Sequence, residues 1–223
     1  MNENKKIIKF FDKWAENYDK SVQSAEKSND WLYKGYSWIL VSIRDKIKEY
    51  LIPNKGTVIL DIGTGTGNLL FLLLGEGYQM IGLEPSPKMR EKLREKKPTV
   101  PVIAGDFLSA PIQNASVDAI VSSYAWHHLP YKKKIKSIGK MKQMLKEKGI
   151  IVIADLMFAS MKERKRKTEI YKAKNLYDLI EDINSEYYGH VDTLSREFIK
   201  SGFKVESKQL TDLVWLLAAK RGL

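Results

Sequence analysis

The stretch Thr57-Val58-Ile59-Leu60-Asp61-Ile62-Gly63-Thr64-Gly65-Thr66-Gly67 decides the fold. Its first half is a short apolar run rich in β-branched residues, and its second half has three glycines with one residue between each pair. A glycine turn between a strand and a helix lets the backbone approach a ligand closely. The helix that follows offers free N–H groups to that ligand. The stretch therefore predicts a buried strand, a ligand-binding turn and a helix.

The glycine spacing separates two classes of ligand. Dinucleotide-binding turns follow G-x-G-x-x-G, and the place of their third glycine is occupied here by Asn68. An aspartate in front of the first glycine, Asp61, is unusual beside a pyrophosphate but suits the ammonium group of a methionine moiety. The spacing thus disfavours a nicotinamide-dependent oxidoreductase.

Further apolar runs alternate with helical stretches along the chain, at 79–84, 100–104, 117–123 and 150–155. This alternation indicates a parallel sheet with helices on both faces. Ser86-Pro87 predicts a helix start, while Gly149 and Gly202 fit helix ends. The runs 203–210 and 213–219 predict a terminal antiparallel hairpin.

We expect a single domain over residues 1–223, made of four parts. Ile7, Phe11, Trp14 and Tyr18 recur at helical spacing, and a second apolar stripe runs from Leu32 to Leu51, so 1–51 should form two N-terminal helices. Residues 52–159 should form the cofactor-binding core, 160–190 a helical insertion that acts as a lid, and 191–223 a C-terminal helix with the strand hairpin.

The composition excludes several classes of chemistry. With no cysteine, the chain has no disulfide, no cysteine-based zinc or iron–sulfur site and no cysteine nucleophile. The net charge is +11, but the lysine runs 132–134 and 162–167 lack interleaved aromatic residues, so we interpret them as solvated helix faces rather than a nucleic-acid site.

Hydropathy sets the expected location. No apolar run approaches the ~18 residues of a membrane span, and the N-terminal segment lacks the apolar region of a signal peptide. We therefore expect a cytoplasmic protein that does not associate with membranes.

Three carboxylates follow three successive predicted strands: Asp61, Glu84 and Asp106. In an open parallel sheet, ligands bind at these strand ends. Glu84 is placed to accept hydrogen bonds from both hydroxyls of a ribose, and Asp106 from an adenine amino group. The alternative for each carboxylate is a helix cap or a solvated charge.

Residues 61–67, Glu84, Gly105-Asp106 and 118–123 resemble the class I S-adenosylmethionine-dependent methyltransferases. The resemblance covers Leu51 to Leu156 by motif and the whole chain more weakly; residues 11–19 look like the N-terminal helix of small-molecule members. The segments 84–86, 105–108, 124–129 and 186–188 are similar to uncharacterised methyltransferases of Firmicutes that are encoded near methionine-to-cysteine recycling enzymes.

This resemblance implies a Rossmann-like sheet of seven mostly parallel strands, with helices on both faces and one antiparallel strand near the C-terminus. It implies S-adenosylmethionine as the cofactor and S-adenosylhomocysteine as its product. The expected cofactor-binding residues are Tyr18, Asp61, Gly63, Thr64, Gly65, Gly67, Glu84, Pro85, Ser86, Met89, Gly105, Asp106, Phe107, Ser123, Tyr124 and Ala125.

Methyl transfer from a sulfonium needs alignment and exclusion of water. Aromatic faces can stabilise the sulfonium, and the candidates are Trp14, Tyr18, Tyr124 and Trp126. Tyr18 is favoured, since Trp14 can equally pack in the core. Tyr187 and Tyr188 either line the acceptor pocket or pack.

An acceptor that must lose a proton needs a base, and His127 and His128 follow the fourth strand. His128 is favoured slightly, while a structural role in the loop remains open for both. We expect no metal here, because adjacent side chains diverge and no third ligand is evident. His190 is interpreted as incidental.

The expected function is methyl transfer to a small molecule by a monomer or homodimer. Methylation of RNA, DNA or protein is an alternative, although residues 123–126 lack the Asn-Pro-Pro-Tyr-like motif of amino-methylating DNA enzymes. A protein that binds the cofactor without transferring its methyl group is a further alternative.

Overall fold

The computed structural model describes residues 3–28, 30–54 and 56–222. The helices are α1 (Glu3–Trp14), α2 (Tyr18–Lys27), α3 (Tyr36–Tyr50), α4 (Asn68–Gly75), α5 (Pro87–Lys96), α6 (Tyr131–Met144), α7 (Met161–Ala173), α8 (Tyr177–Ser185) and α9 (Val191–Lys200). The strands are β1 (Val58–Ile62), β2 (Gln79–Leu83), β3 (Val102–Ile103), β4 (Val117–Ser123), β5 (Leu145–Phe158), β6 (Gly189–His190), β7 (Phe203–Gln209) and β8 (Val214–Arg221).

The sheet confirms the predicted Rossmann-like architecture. Its strands lie in the order β3-β2-β1-β4-β5-β8-β7, and the short β6 pairs with the end of β5. Pairing is parallel from β3 to β5, whereas β8 runs antiparallel to both β5 and β7. The carboxyl ends of β1, β2 and β4 therefore meet at one edge of the sheet, where a ligand would bind.

Two hydrophobic clusters cover the two faces of this sheet. In β1, Ile59 belongs to the cluster under α3, α4, α7 and α8, while Leu60 belongs to the cluster under α6 and α9. Both side chains are fully buried, and each such burial stabilises the fold by roughly 1.5–3 kcal/mol. Burial on both faces explains why the strand sequences are continuously apolar.

The N-terminal segment forms three helices, so the prediction of two is wrong. Trp14 and Tyr18 have helical spacing, but the Asn17 N–H bonds the carbonyl of Trp14 at 3.0 Å and closes a turn between them. Tyr18 then starts a separate helix. Leu32 likewise precedes α3, in a turn where its N–H bonds Asp30 Oδ1 at 2.9 Å.

The predicted helix ends have different outcomes. Gly202 follows the last turn of α9 with φ of 87°, which confirms that prediction. Ser86 accepts a hydrogen bond from the Met89 N–H and caps α5, as predicted. Gly149 lies inside β5, where an added Cβ would come within 2.7 Å of the Leu145 side chain. Close packing, not a helix end, requires this glycine.

Two lysines of the predicted solvated runs are buried. Lys134 Nζ donates to the carbonyls of Leu129 and Tyr187, and Lys167 Nζ lies 2.9 Å from Asp212 Oδ1. The interpretation of both runs as solvated faces is wrong at these positions, because both lysine side chains are buried and bonded to other parts of the chain. No helix in the described ranges is long and apolar enough to cross a bilayer.

Candidate active site

The glycine loop joins β1 to α4, and two of its glycines have different surroundings. Gly63 has φ of 74°, and an added Cβ would lie only 2.4 Å from the Cβ of Ala125. Gly65 has φ of 55°, and an added Cβ there meets nothing within 4 Å. The loop is thus pressed against the segment after β4 at Gly63 and is open at Gly65.

Glu84, at the end of β2, ties this loop to the start of α5. Its Oε2 accepts from the Gly65 N–H at 3.0 Å, and its Oε1 accepts from the Ser86 N–H at 2.8 Å. Each carboxylate oxygen has two lone pairs, so both can still accept from a ligand. Burial raises the pKa of Glu84 to about 7, against the lowering effect of these two N–H donors.

Asp61 lies beneath the loop and is 1% exposed. Its Oδ2 accepts from the Thr64 hydroxyl at 2.8 Å. Burial raises the pKa of Asp61 to about 7, with the Thr64 hydrogen bond opposing. A cationic ligand group beside Asp61 would favour its ionised form.

Asp106 shapes the loop after β3. Its Oδ1 accepts from the N–H groups of Leu108 and Ser109 at 2.8 and 2.9 Å and from the Ser109 hydroxyl. Asp106 therefore holds a turn of this loop, a role that differs from both the helix cap and the solvated charge named as alternatives. It also lines the cavity described next, so a ligand contact remains a prediction.

The glycine loop, Glu84 and Asp106 line one common cavity. Its volume is about 950 Å³, which includes the solvent-filled space at its mouth. Thirteen of the predicted site residues line it: Tyr18, Gly63, Thr64, Gly65, Glu84, Pro85, Met89, Asp106, Phe107, Ser123, Tyr124, Ala125 and His128. Asp61, Gly67, Ser86, Gly105 and His127 do not line it.

Helix α1 covers this cavity, with Ile7, Ile8 and Phe11 in its lining. Asp12 Oδ1 accepts from the Ser86 hydroxyl at 2.6 Å and from the Lys88 N–H at 3.2 Å. At the start of α2, Asp19 accepts from Thr66 at 2.6 Å. Carboxylates of the N-terminal helices thus bind the loops that follow β1 and β2.

The aromatic candidates separate into two groups. Tyr18 and Tyr124 line the cavity. Trp126 does not: it is fully buried, bonds Ser137 and packs on Phe198, so its candidacy for sulfonium contact is wrong. Trp14 packs edge-on against Tyr18 at 4.9 Å, as in the core alternative.

Tyr124 has an unusual conformation directly after β4. Its φ is 50°, a value that costs a non-glycine residue about 1–3 kcal/mol. Its buried hydroxyl lacks a hydrogen-bond partner within the described part of the chain. Strain together with an unpartnered polar atom marks this position as a candidate for ligand contact.

His127 is anchored by Asp155 of β5. Asp155 accepts from the His127 N–H at 2.8 Å and pairs with Nδ1 of the ring at 2.6 Å. Burial lowers the pKa of His127, but the charge and hydrogen bond of Asp155 outweigh it and give a net rise. The structural role of His127 is therefore evident, since Asp155 fixes both its backbone and its ring.

His128 faces the cavity and pairs with Glu186, at the end of the insertion. Its Nδ1 lies 3.0 Å from Glu186 Oε2, and Phe11 of α1 contacts the ring with centroids 5.5 Å apart. Burial and the nearby charge of His127 lower the pKa of His128. A neutral imidazole at neutral pH can accept a proton.

The two histidine rings approach each other, with centroids 4.0 Å apart. The premise that adjacent side chains diverge is therefore wrong, because the 3₁₀ turn Trp126–His128 brings the rings together. The premise that no third ligand exists is also wrong: His127, His128 and Glu186 offer atoms within 4.8 Å of one another. The absence of a metal stays a prediction.

Comparison with known proteins gives a consistent result. Residues 59–149 match the family model of a methyltransferase domain. An uncharacterised methyltransferase of Geobacillus thermodenitrificans is 37% identical over 216 residues, covering 96% of this chain and 97% of the relative. Another, from Oceanobacillus iheyensis, is 33% identical over 217 residues, covering 97% and 98%. The chain belongs to this family of methyltransferases.

The fold of this methyltransferase also matches solved structures. Magnesium protoporphyrin IX methyltransferase from Synechocystis, solved with bound S-adenosylhomocysteine, superposes with a TM-score of 0.66 over 86% of this chain and 85% of the other. The two chains are 14% identical. At that identity, the likeness concerns the fold alone.

Three carboxylates of the methyltransferase site escaped sequence prediction as site residues. Asp155 carried a signal, since it is the one charged residue of the apolar run 150–155. Asp12 and Glu186 lie in segments that carry the family resemblance, but no local pattern predicts a site role for either carboxylate. Their partners lie 74 and 58 residues away in the chain.

Proposed function

We propose that this methyltransferase transfers a methyl group from S-adenosylmethionine to a small-molecule acceptor. One observation carries the proposal. A single cavity is lined by the open glycine loop and Glu84, which we take as its cofactor end, and by His128, which we take as its acceptor end, with Tyr18 and Tyr124 also in the lining.

The residues at the first end suit the cofactor. Gly65 leaves room for a ligand beside the loop, and Glu84 would accept hydrogen bonds from the ribose hydroxyls. Asp61, which lies beneath the loop, would offset the positive charge of the ammonium group, and Asp106 would contact the adenine. When bound, the cofactor supplies an electrophilic methyl group on a sulfonium.

At the second end, His128 is the group suited to take a proton from the acceptor. It lines the cavity, and burial with the neighbouring His127 lowers its pKa, so it stays neutral near pH 7. The Tyr18 and Tyr124 rings offer aromatic faces to a cation in the same cavity.

The cover over the cavity supports a small acceptor rather than a polymer. Helix α1 lies over it through Ile7, Ile8 and Phe11, and the insertion reaches His128 through Glu186. The burial of Lys134 and Lys167 also removes two charges from the runs that suggested nucleic acid.

The test is formation of S-adenosylhomocysteine by the full chain with panels of thiol, amine and hydroxyl metabolites. We expect turnover with at least one small molecule and without added nucleic acid. Turnover only with added RNA, DNA or protein would contradict the small-acceptor proposal. Binding of S-adenosylmethionine without turnover on any acceptor would favour a non-catalytic binding protein.

A further inference from the structure

The end of the insertion is joined to the loop after β4 through backbone bonds. The Tyr187 N–H donates to the His127 carbonyl at 3.1 Å. The buried Lys134 Nζ donates to the Tyr187 carbonyl at 2.7 Å. Both backbone groups of Tyr187 are therefore held, and the position of its neighbour Glu186 is fixed relative to the two histidines.

The pairing of Glu186 with His128 determines which ring nitrogen carries the proton. Burial raises the pKa of Glu186, but the hydrogen bond with His128 and the neighbouring imidazoles outweigh it and lower that pKa below the usual range of a glutamate, so the carboxylate is ionised at neutral pH. An ionised carboxylate can only accept hydrogen bonds. Nδ1 of His128, 3.0 Å away, must therefore carry the hydrogen, which leaves Nε2 of a neutral ring as the acceptor of a proton.

We propose that Glu186, carried by the helical insertion, positions His128 as the base of this methyltransferase, with Nε2 directed to the acceptor. The proposal rests on the proposed function and adds the element that orients its base. It also assigns the acceptor to the class of proton-bearing heteroatoms, such as a hydroxyl, a thiol or an ammonium group.

The groups around His128 come from several elements. His127 is its neighbour in the 3₁₀ turn, Asp155 belongs to β5, Lys134 to α6 and Glu186 to the end of the insertion; Phe11 of α1 covers the ring without a charge. Burial and His127 lower the pKa of His128, and the Glu186 carboxylate opposes them. His128 can therefore stay neutral before the reaction and be stabilised when it becomes a cation.

The proton balance of the step is simple. The acceptor heteroatom bonds to the methyl carbon, and the electron pair of the broken carbon–sulfur bond stays on sulfur. His128 Nε2 takes the proton that the heteroatom loses. The resulting imidazolium keeps its Nδ1–H bond to Glu186, which becomes an ion pair.

The first measurement is the tautomer of His128 in ¹⁵N-histidine-labelled full-length protein, which has three histidines. In long-range ¹H–¹⁵N spectra, assigned with His128→Gln, we expect a protonated Nδ1 and an unprotonated Nε2. Glu186→Ala should shift the ring towards the Nε2–H form, while Glu181→Ala, an exposed carboxylate on α8, should leave it unchanged. A wild-type ring protonated on Nε2 would overturn the proposal.

The second measurement separates positioning from a structural role. It uses the panel metabolite that gives most S-adenosylhomocysteine. For Glu186→Ala, we expect kcat to fall by at least about tenfold, with an unchanged KM for S-adenosylmethionine. The acidic limb of the pH profile should move to lower pH, because Glu186 raises the pKa of His128. Glu186→Gln retains an oxygen acceptor without the charge, so its kcat should lie between those of the wild type and Glu186→Ala. It replaces Glu186→Ala in this measurement if that variant does not fold.

Each failure has a distinct meaning. If the wild type turns over and Glu186→Ala keeps its kcat and pH profile, the inference about Glu186 is wrong while the proposed function stands. If the wild type turns over no acceptor, the proposed function fails and the inference falls with it. If stoichiometric Zn²⁺ removes the Nδ1–H signal and binds both rings, the cluster is a metal site and the positioning role is overturned.

Discussion

The two ends of the cavity are built differently. At the cofactor end, Glu84 bonds Gly65, only 19 residues earlier in the chain. At the acceptor end, Glu186 meets His128 across 58 residues, and Phe11 of the covering helix contacts the same ring. The first end is encoded in one strand–loop–helix unit and its neighbour. The second forms only when three distant segments pack together.

The largest effect is expected where the glycine loop touches the segment after β4. Gly63→Ala forces a side chain at φ of 74° and places its Cβ 2.4 Å from Ala125. We expect unfolding free energy to fall by about 2 kcal/mol or more, with loss of S-adenosylhomocysteine binding. Chemical denaturation and calorimetry measure both.

The matched control for that substitution is Gly75→Ala, at the end of α4. An added Cβ there meets nothing within 4 Å, and Gly75 is not among the positive-φ glycines. We expect unchanged or slightly higher stability. Equal losses for both variants would mean that the close approach at Gly63 does not matter.

Glu84→Ala tests the cofactor end alone. It removes a charged acceptor, so affinity for S-adenosylhomocysteine should fall by about 1–3 kcal/mol in calorimetry. Glu95→Ala, an exposed carboxylate on α5, should bind normally. Because Glu84 also accepts from Gly65 and Ser86, the melting temperature must be followed in parallel. Unchanged affinity would restrict Glu84 to this structural role.

Binding should also depend on pH at the cofactor end. Burial raises the pKa of Asp61 and of Glu84 to about 7, and a bound ammonium group favours the ionised form of Asp61. Cofactor affinity should therefore fall as pH drops below 7, by about tenfold per pH unit for each proton that must be released. Calorimetry between pH 6 and 8 checks this; a flat profile would contradict it.

The raised pKa values of Asp61 and Glu84 make the stability of the free protein depend on pH in the opposite direction to cofactor affinity. A carboxyl whose pKa is raised on folding contributes stability below its unfolded pKa and loses that contribution as pH rises through about 7. The free protein should thus lose part of its stability between pH 6 and 8. The gain in melting temperature on adding S-adenosylhomocysteine should grow over the same range.

The smallest effect is expected at the cover over the cavity. Asp12→Ala removes the hydrogen bonds to Ser86 and Lys88, so S-adenosylhomocysteine affinity should weaken by about 0.5–1.5 kcal/mol, mainly through faster dissociation. Stopped-flow fluorescence can measure the rate. Asp45→Ala, an exposed acid on α3, is the control, and equal rates would show that α1 does not hold the ligand.

The sequence predicted what is local and missed what is tertiary. The glycine loop, Glu84 and the terminal hairpin follow from apolar periodicity and turn residues over short windows. The burial of Lys134 depends on carbonyls from other elements, and the close packing at Gly149 depends partly on Asp118 of β4. The turn before Tyr18 is closed by a local bond, but the helical spacing of Trp14 and Tyr18 continues across it. Glu186 lacks any local signal, because its role comes from the backbone bonds that place Tyr187 against His127.

Calorimetric titration of the full-length chain with S-adenosylmethionine, and separately with NAD, tests the central claim most directly. We predict binding of S-adenosylmethionine at the glycine loop with affinity in the micromolar range, ~8 kcal/mol, and no binding of NAD. Binding of neither ligand, or binding of NAD alone, would contradict the account.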